Sequence, residues 1–143
     1  DAQVYFLGFQ KNPYRLLSKA RLMILTSHWE GLPIALLEAM ALGIPSVVSD
    51  CSQGIREAWN LTGESADNVT LSKVITTPFG VLVPLSDDTE SAQIIWEEAL
   101  HRALSLGERR KQMIENCQTR AQDYSVERVT SIWNRDLLML AES

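Results

Sequence analysis

The sequence has little cysteine, little histidine and no long apolar run. Its two cysteines, Cys51 and Cys117, stand far apart and without CxxC spacing. That pattern fits a reducing cytosol better than a disulfide framework. The two histidines, His28 and His101, lie as widely scattered, so no metal-ligand spacing emerges and no metal is expected. No run reaches the roughly 18 apolar residues that a membrane-crossing helix needs, and no leader peptide is recognisable. Without a secretory context, the glycosylation sequons at Asn60 and Asn68 read as accidental. Positive charge is scarce too. Thirteen Lys and Arg face eighteen Asp and Glu, a net charge of -5, which offers no electrostatic grip on nucleic acid. The basic run Arg109-Arg110-Lys111 reads as a solvated helix face. Repeats, low-complexity tracts and a G-x-S-x-G elbow are absent.

What is present is ordinary for a globular chain: 143 residues, 45% hydrophobic and 22% charged, long enough to bury a core without staples. The chain opens on Asp1 and enters a strand-like run almost at once, which predicts that it is part of something longer. Val4 to Phe9 is β-branched and aromatic and predicts a strand. Asn12 and Pro13 then open a helix. Leu22 to Ser27 is a continuous apolar strand, as expected where both faces are covered. A helix opens at Pro33 and stops at Gly43 and Pro45. Ser46 to Asp50 is a second buried strand, and Gly54 to Trp59 a short helix. Residues 60–78 carry turn residues with weak periodicity and predict an inserted surface loop. Gly80 to Leu85 is a further strand. Three helices close the chain, the first after Asp88 or Thr89, which Asp87-Asp88 would cap. Its apolar stripe is Ala92, Ile95, Trp96, Ala99 and Ala103; that of the second is Ile114, Cys117, Ala121 and Tyr124. The third, 125–140, carries Val126, Val129, Trp133, Leu137 and Leu140 in register. Core or interdomain packing is the default for Trp96 and Trp133.

Strands alternating with helices over short connections predict an α/β fold with a parallel, Rossmann-like sheet and helices on both faces. Ligands bind such sheets beyond the carboxyl ends of the strands. Gly8, Ser27, Asp50 and Pro84 mark those ends.

One of those loops leads into an anomaly. The helix that begins at Pro33 is apolar on nearly every side, yet Glu38 sits in its second turn and Glu30 stands just before it. Burying an unpaired carboxylate costs several kcal/mol or more. Eight residues of straight helix would part the two acids by roughly 12 Å, but Glu30 lies in the loop and can fold back. Glu30, Gly31 and Leu32 include no strong side-chain cap, so the N–H groups of Ile34, Ala35 and Leu36 are open to an anion. Gly31 would let a ligand approach the backbone. Two plainer readings stand beside this one. Glu38 could pair with Arg15, Arg21 or Arg56, and Glu30 could simply serve the helix dipole. Ser27, His28 and Glu30 also spell a triad, but three residues within four positions cannot face one another in the required order.

The run "EGLPIALLEAMALGIPSVVSD" resembles the E-x(7)-E signature of family 4 retaining glycosyltransferases, enzymes of the GT-B fold. The preceding "VYFLGFQKNPYRLLSKARLMILTSHWEG" and the following "DCSQGIREAW" and "FGVLVP" extend the likeness over most of residues 3 to 140. The resemblance implies that residues 1–143 form one partial donor-binding domain from the C-terminal half of such an enzyme. It implies Glu30 as the catalytic glutamate near the donor sugar, and Glu38 as the ligand of the ribose hydroxyls. Gly31, Leu32, Pro33, Ile34 and Ala35 would hold the distal phosphate and sugar. Gly8, Phe9, Gln10 and Lys11 would border the base, with Ser27 and His28 in the pocket wall. The expected donor is a nucleotide sugar, usually a UDP-sugar, with no cofactor or metal. The expected acceptor is a glycan or lipid-linked, in bacterial surface-polysaccharide assembly. The acceptor would be held by a missing N-terminal domain, and the fragment alone would be inactive. The implied location is the cytoplasm, the full-length protein being free to associate with the inner face of the membrane. The family's diphosphate-neutralising Arg and Lys lie upstream, and Arg15, Lys19 and Arg21 do not match them. A glycogen-, sucrose- or trehalose-type synthase and a non-catalytic nucleotide-binding module are the alternatives.

Overall fold

The computed structural model describes residues 3–61, 71–86 and 89–141. Its elements follow one another as α1 (Tyr14–Leu17), β1 (Met23–Leu25), α2 (Ile34–Ala41), β2 (Ser46–Ser49), α3 (Gln53–Ala58), β3 (Ile75–Thr76), β4 (Gly80–Val83), α4 (Thr89–Leu104), α5 (Arg109–Ala121) and α6 (Val126–Ala141). A short 3-10 turn, Gln122–Tyr124, links the last two. The four strands form one sheet in the order β1-β2-β4-β3. β1, β2 and β4 run parallel, while β3 pairs antiparallel with β4 at the edge. The fold is therefore α/β with a mostly parallel sheet, as the alternation of elements predicts.

Both faces of the central strands are covered, their alternate side chains serving different cores, whereas β1 at the edge leaves Ile24 exposed, contrary to the expectation of cover on both sides. Val48 of β2 and Leu82 of β4 pack with Leu36 and Met40 of α2, Ile55 of α3 and Met113 and Cys117 of α5. Their neighbours Val47, Val81 and Val83 pack instead with Ala99 and Ala103 of α4. Fully burying each Val or Leu side chain stabilises by about 1.5–3 kcal/mol. The α2 helix ends in a Schellman turn: Ile44 N–H donates to Ala39 O at 2.9 Å and Gly43 N–H to Met40 O at 3.0 Å. Gly43 supplies the left-handed φ of 70° that this stop requires.

Several expectations need correction. Val4 to Phe9 forms no strand; Phe6 is 97% exposed. The segment pairs with no described strand, the free edge of β1 included, so its composition alone does not make it a strand. Asn12 does not cap α1: Pro13 occupies the cap position, with no side-chain hydrogen bond. Residues 60–78 are not wholly a loop, since β3 lies within them and Val74 is buried. The Thr77-Pro78-Phe79-Gly80 turn closes a hairpin. There the Thr77 hydroxyl oxygen accepts from Phe79 N–H and Gly80 N–H, each at 3.1 Å. Asn68, both sequon threonines and Asp87-Asp88 lie outside the described residues. Finally, the apolar stripe of α6 joins no core of the described residues, which corrects the core reading of Trp133 and leaves the interdomain reading as an expectation. Trp133 is 63% and Leu140 73% exposed, so a regular stripe shows that a face is apolar without showing what covers it.

Candidate functional site

Two loops converge at the carboxyl edge of the parallel strands. The first, 26–33, leaves β1 and feeds α2. The second, 50–52, leaves β2 and feeds α3. Ser49, at the end of β2, donates its hydroxyl to the carbonyls of Ser27 and Leu25, tying the first loop to the neighbouring strand. Ser52 does two things at once. Its Oγ accepts from Ile55 N–H at 3.3 Å, capping α3, and donates to Gly31 O at 3.3 Å. Gly54 completes the seat, since a Cβ there would lie 1.9 Å from Gly31 O and 3.1 Å from Leu32 Cα. The Gly31–Leu32 backbone thus rests directly on the first turn of α3.

Glu30 is half-buried in the first loop, and one of its oxygens, Oε1, accepts from Ser27 Oγ at 2.6 Å. Its charge reaches the second loop. Burial pushes the Cys51 thiol above its ordinary pKa; a hydrogen bond with Ser49 opposes the shift and the Glu30 carboxylate adds to it. Glu38 is half-buried too, rather than sunk in the core, because the flank of α2 that holds Ile34, Ala35 and Ala41 is exposed. Its Oε1 accepts from the Tyr14 hydroxyl at 2.7 Å. None of the three arginines considered as partners pairs with it. Arg56 instead binds Asp50 through two nitrogens, Nε at 2.8 Å from Oδ1. No hydrogen bond joins Glu30 to Glu38.

At the start of α2, Pro33 holds the cap position with no side-chain hydrogen bond. Leu36 N–H is not open as expected; it donates to Pro33 O at 3.0 Å. Ile34 and Ala35 N–H find no acceptor among the described residues. The edge therefore offers two outward N–H groups and two carboxylates, each with one oxygen engaged by a hydroxyl and its partner oxygen available. Such a set can accept from vicinal hydroxyls while binding an anion at the helix start.

Ser27, Glu30, Gly31, Leu32, Pro33, Ile34 and Ala35 are brought together by this edge, with Glu38 one turn further along α2. His28 is exposed on the same loop. Gly8, Phe9, Gln10 and Lys11 are exposed, and no hydrogen bond ties them to the Glu30 loop. Gln10 turns back on its own segment, donating to Leu7 O at 2.6 Å. Sequence reasoning missed Tyr14, Ser49, Ser52 and the close approach of Gly54; only the serine before a helix gave a signal, as a cap. No group of three His, Cys, Asp or Glu able to hold a metal occurs among the described residues. None of the described helices is long and apolar enough to cross a membrane.

The Tyr14–Glu38 bond carries a pH expectation. The hydrogen bond to Glu38 raises the Tyr14 pKa, its charge adding to the effect. A raised folded value means the bond is fully present below the ordinary phenol pKa and is lost as pH rises through the raised one. Tyrosinate absorbance, read as wild type minus Tyr14→Phe, should therefore show a midpoint above the ordinary value. Glu38→Gln should bring it back.

Comparison with known proteins places this chain beside glycosyltransferases. Residues 1–64 match the family model for Glycosyl transferases group 1. The chain is 28% identical over 144 aligned residues to an uncharacterized glycosyltransferase of Methanocaldococcus jannaschii, covering 91% of this chain and 34% of that protein. Over 61 residues it is 38% identical to the lipopolysaccharide 1,6-galactosyltransferase of Salmonella typhimurium, covering 40% of this chain and 17% of that enzyme. A chain of the solved GtfA/B complex superposes with a TM-score of 0.67 at 21% identity, covering 94% of this chain and 24% of that one; this likeness shows a shared fold. The chain thus spans about a third or less of the length of these relatives. The family match thus covers the first 64 residues, which bear the Glu30–Glu38 edge, and the relatives named here are glycosyltransferases to which the chain is similar.

Proposed function

We propose that this chain is the donor-binding part of a family 4 retaining glycosyltransferase of the GT-B fold. The donor is a nucleotide sugar, a UDP-sugar by preference. Its acceptor is a glycan or a lipid-linked carrier, and bacterial surface polysaccharide is the product class; the likeness to a lipopolysaccharide galactosyltransferase supports that choice. The observation that carries the reading is the pair of hydroxyl-held glutamates, Glu30 on Ser27 and Glu38 on Tyr14, flanking an uncapped helix start. In this scheme Glu38 accepts from the ribose hydroxyls, and the Ile34 and Ala35 N–H groups stabilise the departing diphosphate. Glu30 faces the sugar, and Gly31 makes room for it. No cofactor or metal enters the scheme. An N-terminal domain supplies the acceptor site, and Arg and Lys from an upstream strand and helix of the donor domain complete the diphosphate site. The enzyme works in the cytoplasm, at the inner face of the membrane when the acceptor is lipid-linked.

An NMR titration with UDP, repeated on Glu38→Ala, tests this. Shifts should cluster at residues 9–11, 30–36 and 38 and weaken in the variant. A folded full-length protein that stays silent with UDP, GDP and ADP would sink the reading.

A further inference from the structure

Among the described residues, one side-chain hydrogen bond reaches the Glu38 carboxylate, and it comes from Tyr14, 24 positions away on another helix. From this contact we infer that Tyr14 is a positioning residue: it holds Oε1 of Glu38 and so aims Oε2 at the ribose diol of the bound nucleotide. The inference rests on the donor-site reading above.

Three observations carry it. First, the end torsion of a glutamate is broad and roughly two-fold, so a carboxylate on a half-exposed helix flank needs an external contact to keep one orientation. The phenol supplies that contact at 2.7 Å, and a bond between a neutral donor and an ionised acceptor is among the stronger kinds. Second, the bond consumes little of the acceptor. A carboxylate has about four lone-pair sites; the phenol takes one on Oε1 and leaves Oε2 whole. The same division recurs at Glu30, where Ser27 takes Oε1. Third, Tyr14 has no packing duty that would explain its place. α1 contains no buried residue, and the Tyr14 ring is 47% exposed. The raised phenol pKa keeps the group a donor throughout the neutral range.

Calorimetric titration of the full-length protein tests the assignment. Wild type, Tyr14→Phe, Glu38→Gln and the double variant are each titrated with UDP and with 2′,3′-dideoxyuridine diphosphate. The phenyl ring of Phe keeps the shape of α1 and deletes only the hydroxyl. Tyr14→Phe should weaken UDP binding roughly two- to tenfold while binding the dideoxy nucleotide as wild type does. The double variant should bind UDP no more weakly than Glu38→Gln alone, since the two changes remove one coupled unit. Equal losses for both nucleotides would mean that Tyr14 only supports the fold, and the assignment fails. It fails also if Tyr14→Phe binds UDP like wild type while Glu38→Gln does not; the donor-site reading then survives. Wild type that binds neither UDP, GDP nor ADP overturns that reading itself, and this inference with it.

Discussion

Replacing Trp59 by alanine is expected to cost about 3–5 kcal/mol of stability, the largest loss of any single truncation in this chain. Trp59 follows α3 directly and is fully buried, packed with Leu36, Met40, Val48, Ile55, Leu82, Met113 and Cys117. It thereby shares one core with residues of α2, α5 and two strands. The fit extends to the backbone: a Cβ on Gly80 would stand 2.6 Å from Trp59 Cη2 and 2.5 Å from Ser46 O. The indole face occupies the space a side chain at position 80 would need. Its Nε1 has no hydrogen-bond partner among the described residues, so packing rather than polar contact holds it there. Trp59→Phe should therefore stay within about 1.5 kcal/mol of wild type, losing area but also shedding an unsatisfied donor. Gly80→Ala should destabilise as well, and Trp59→Phe should not rescue it, because the Ser46 carbonyl still blocks the methyl. Urea unfolding followed by far-ultraviolet circular dichroism measures all four variants against wild type. A Trp59→Ala loss below about 1 kcal/mol would show that the surrounding helices collapse into the gap.

The elements that make this core were legible because their signals are local. The β-branched pair Val47-Val48 and the apolar run Gly80–Val83 announce short strands buried on both faces. Gly43 and Pro45 announce the end of α2. What escaped depends on partners distant in sequence. Val4 to Phe9 has the composition of a strand yet pairs with none of the described strands. The β3 strand is two residues long, too short for periodicity, though Pro78 and Gly80 between β-branched runs were a turn signal. Of the site, Glu30, Gly31 and the uncapped helix start were readable from spacing. The contacts that hold them were not. Tyr14 lies on a different helix from Glu38, and Arg56, one of the expected partners of Glu38, belongs to Asp50. Pattern places side chains on faces; it does not say which hydroxyl or guanidinium arrives opposite.

Gly54 is the clearest such case, and a comparison of two glycines turns it into a test of the site. Gly54→Ala is expected to damage both stability and nucleotide binding, whereas Gly31→Ala is expected to damage binding alone. A Cβ on Gly54 would overlap the Gly31 carbonyl at 1.9 Å, a backbone atom that no rotamer change can move aside. Either α3 or the Glu30–Leu32 loop must shift. Because Ser52 Oγ holds Gly31 O and caps α3 together, the displacement reaches both. Overpacking of this kind costs about 1–3 kcal/mol. A displacement near 1 Å in a binding loop can cost on the order of 100-fold in function. At Gly31 the situation is reversed. A Cβ there meets nothing within 4 Å, and the backbone needs no positive φ, so the substitution should leave the thermal midpoint within a degree or two. The new methyl would stand where the donor reading brings a ligand to the backbone. In the full-length protein, calorimetry with UDP-sugar should then show tenfold or greater weakening for Gly31→Ala. If Gly31→Ala binds like wild type while Gly54→Ala binds weakly, the loop matters only as a support. The phosphate and sugar would then have to approach the Ile34 and Ala35 N–H groups from the opposite flank of α2.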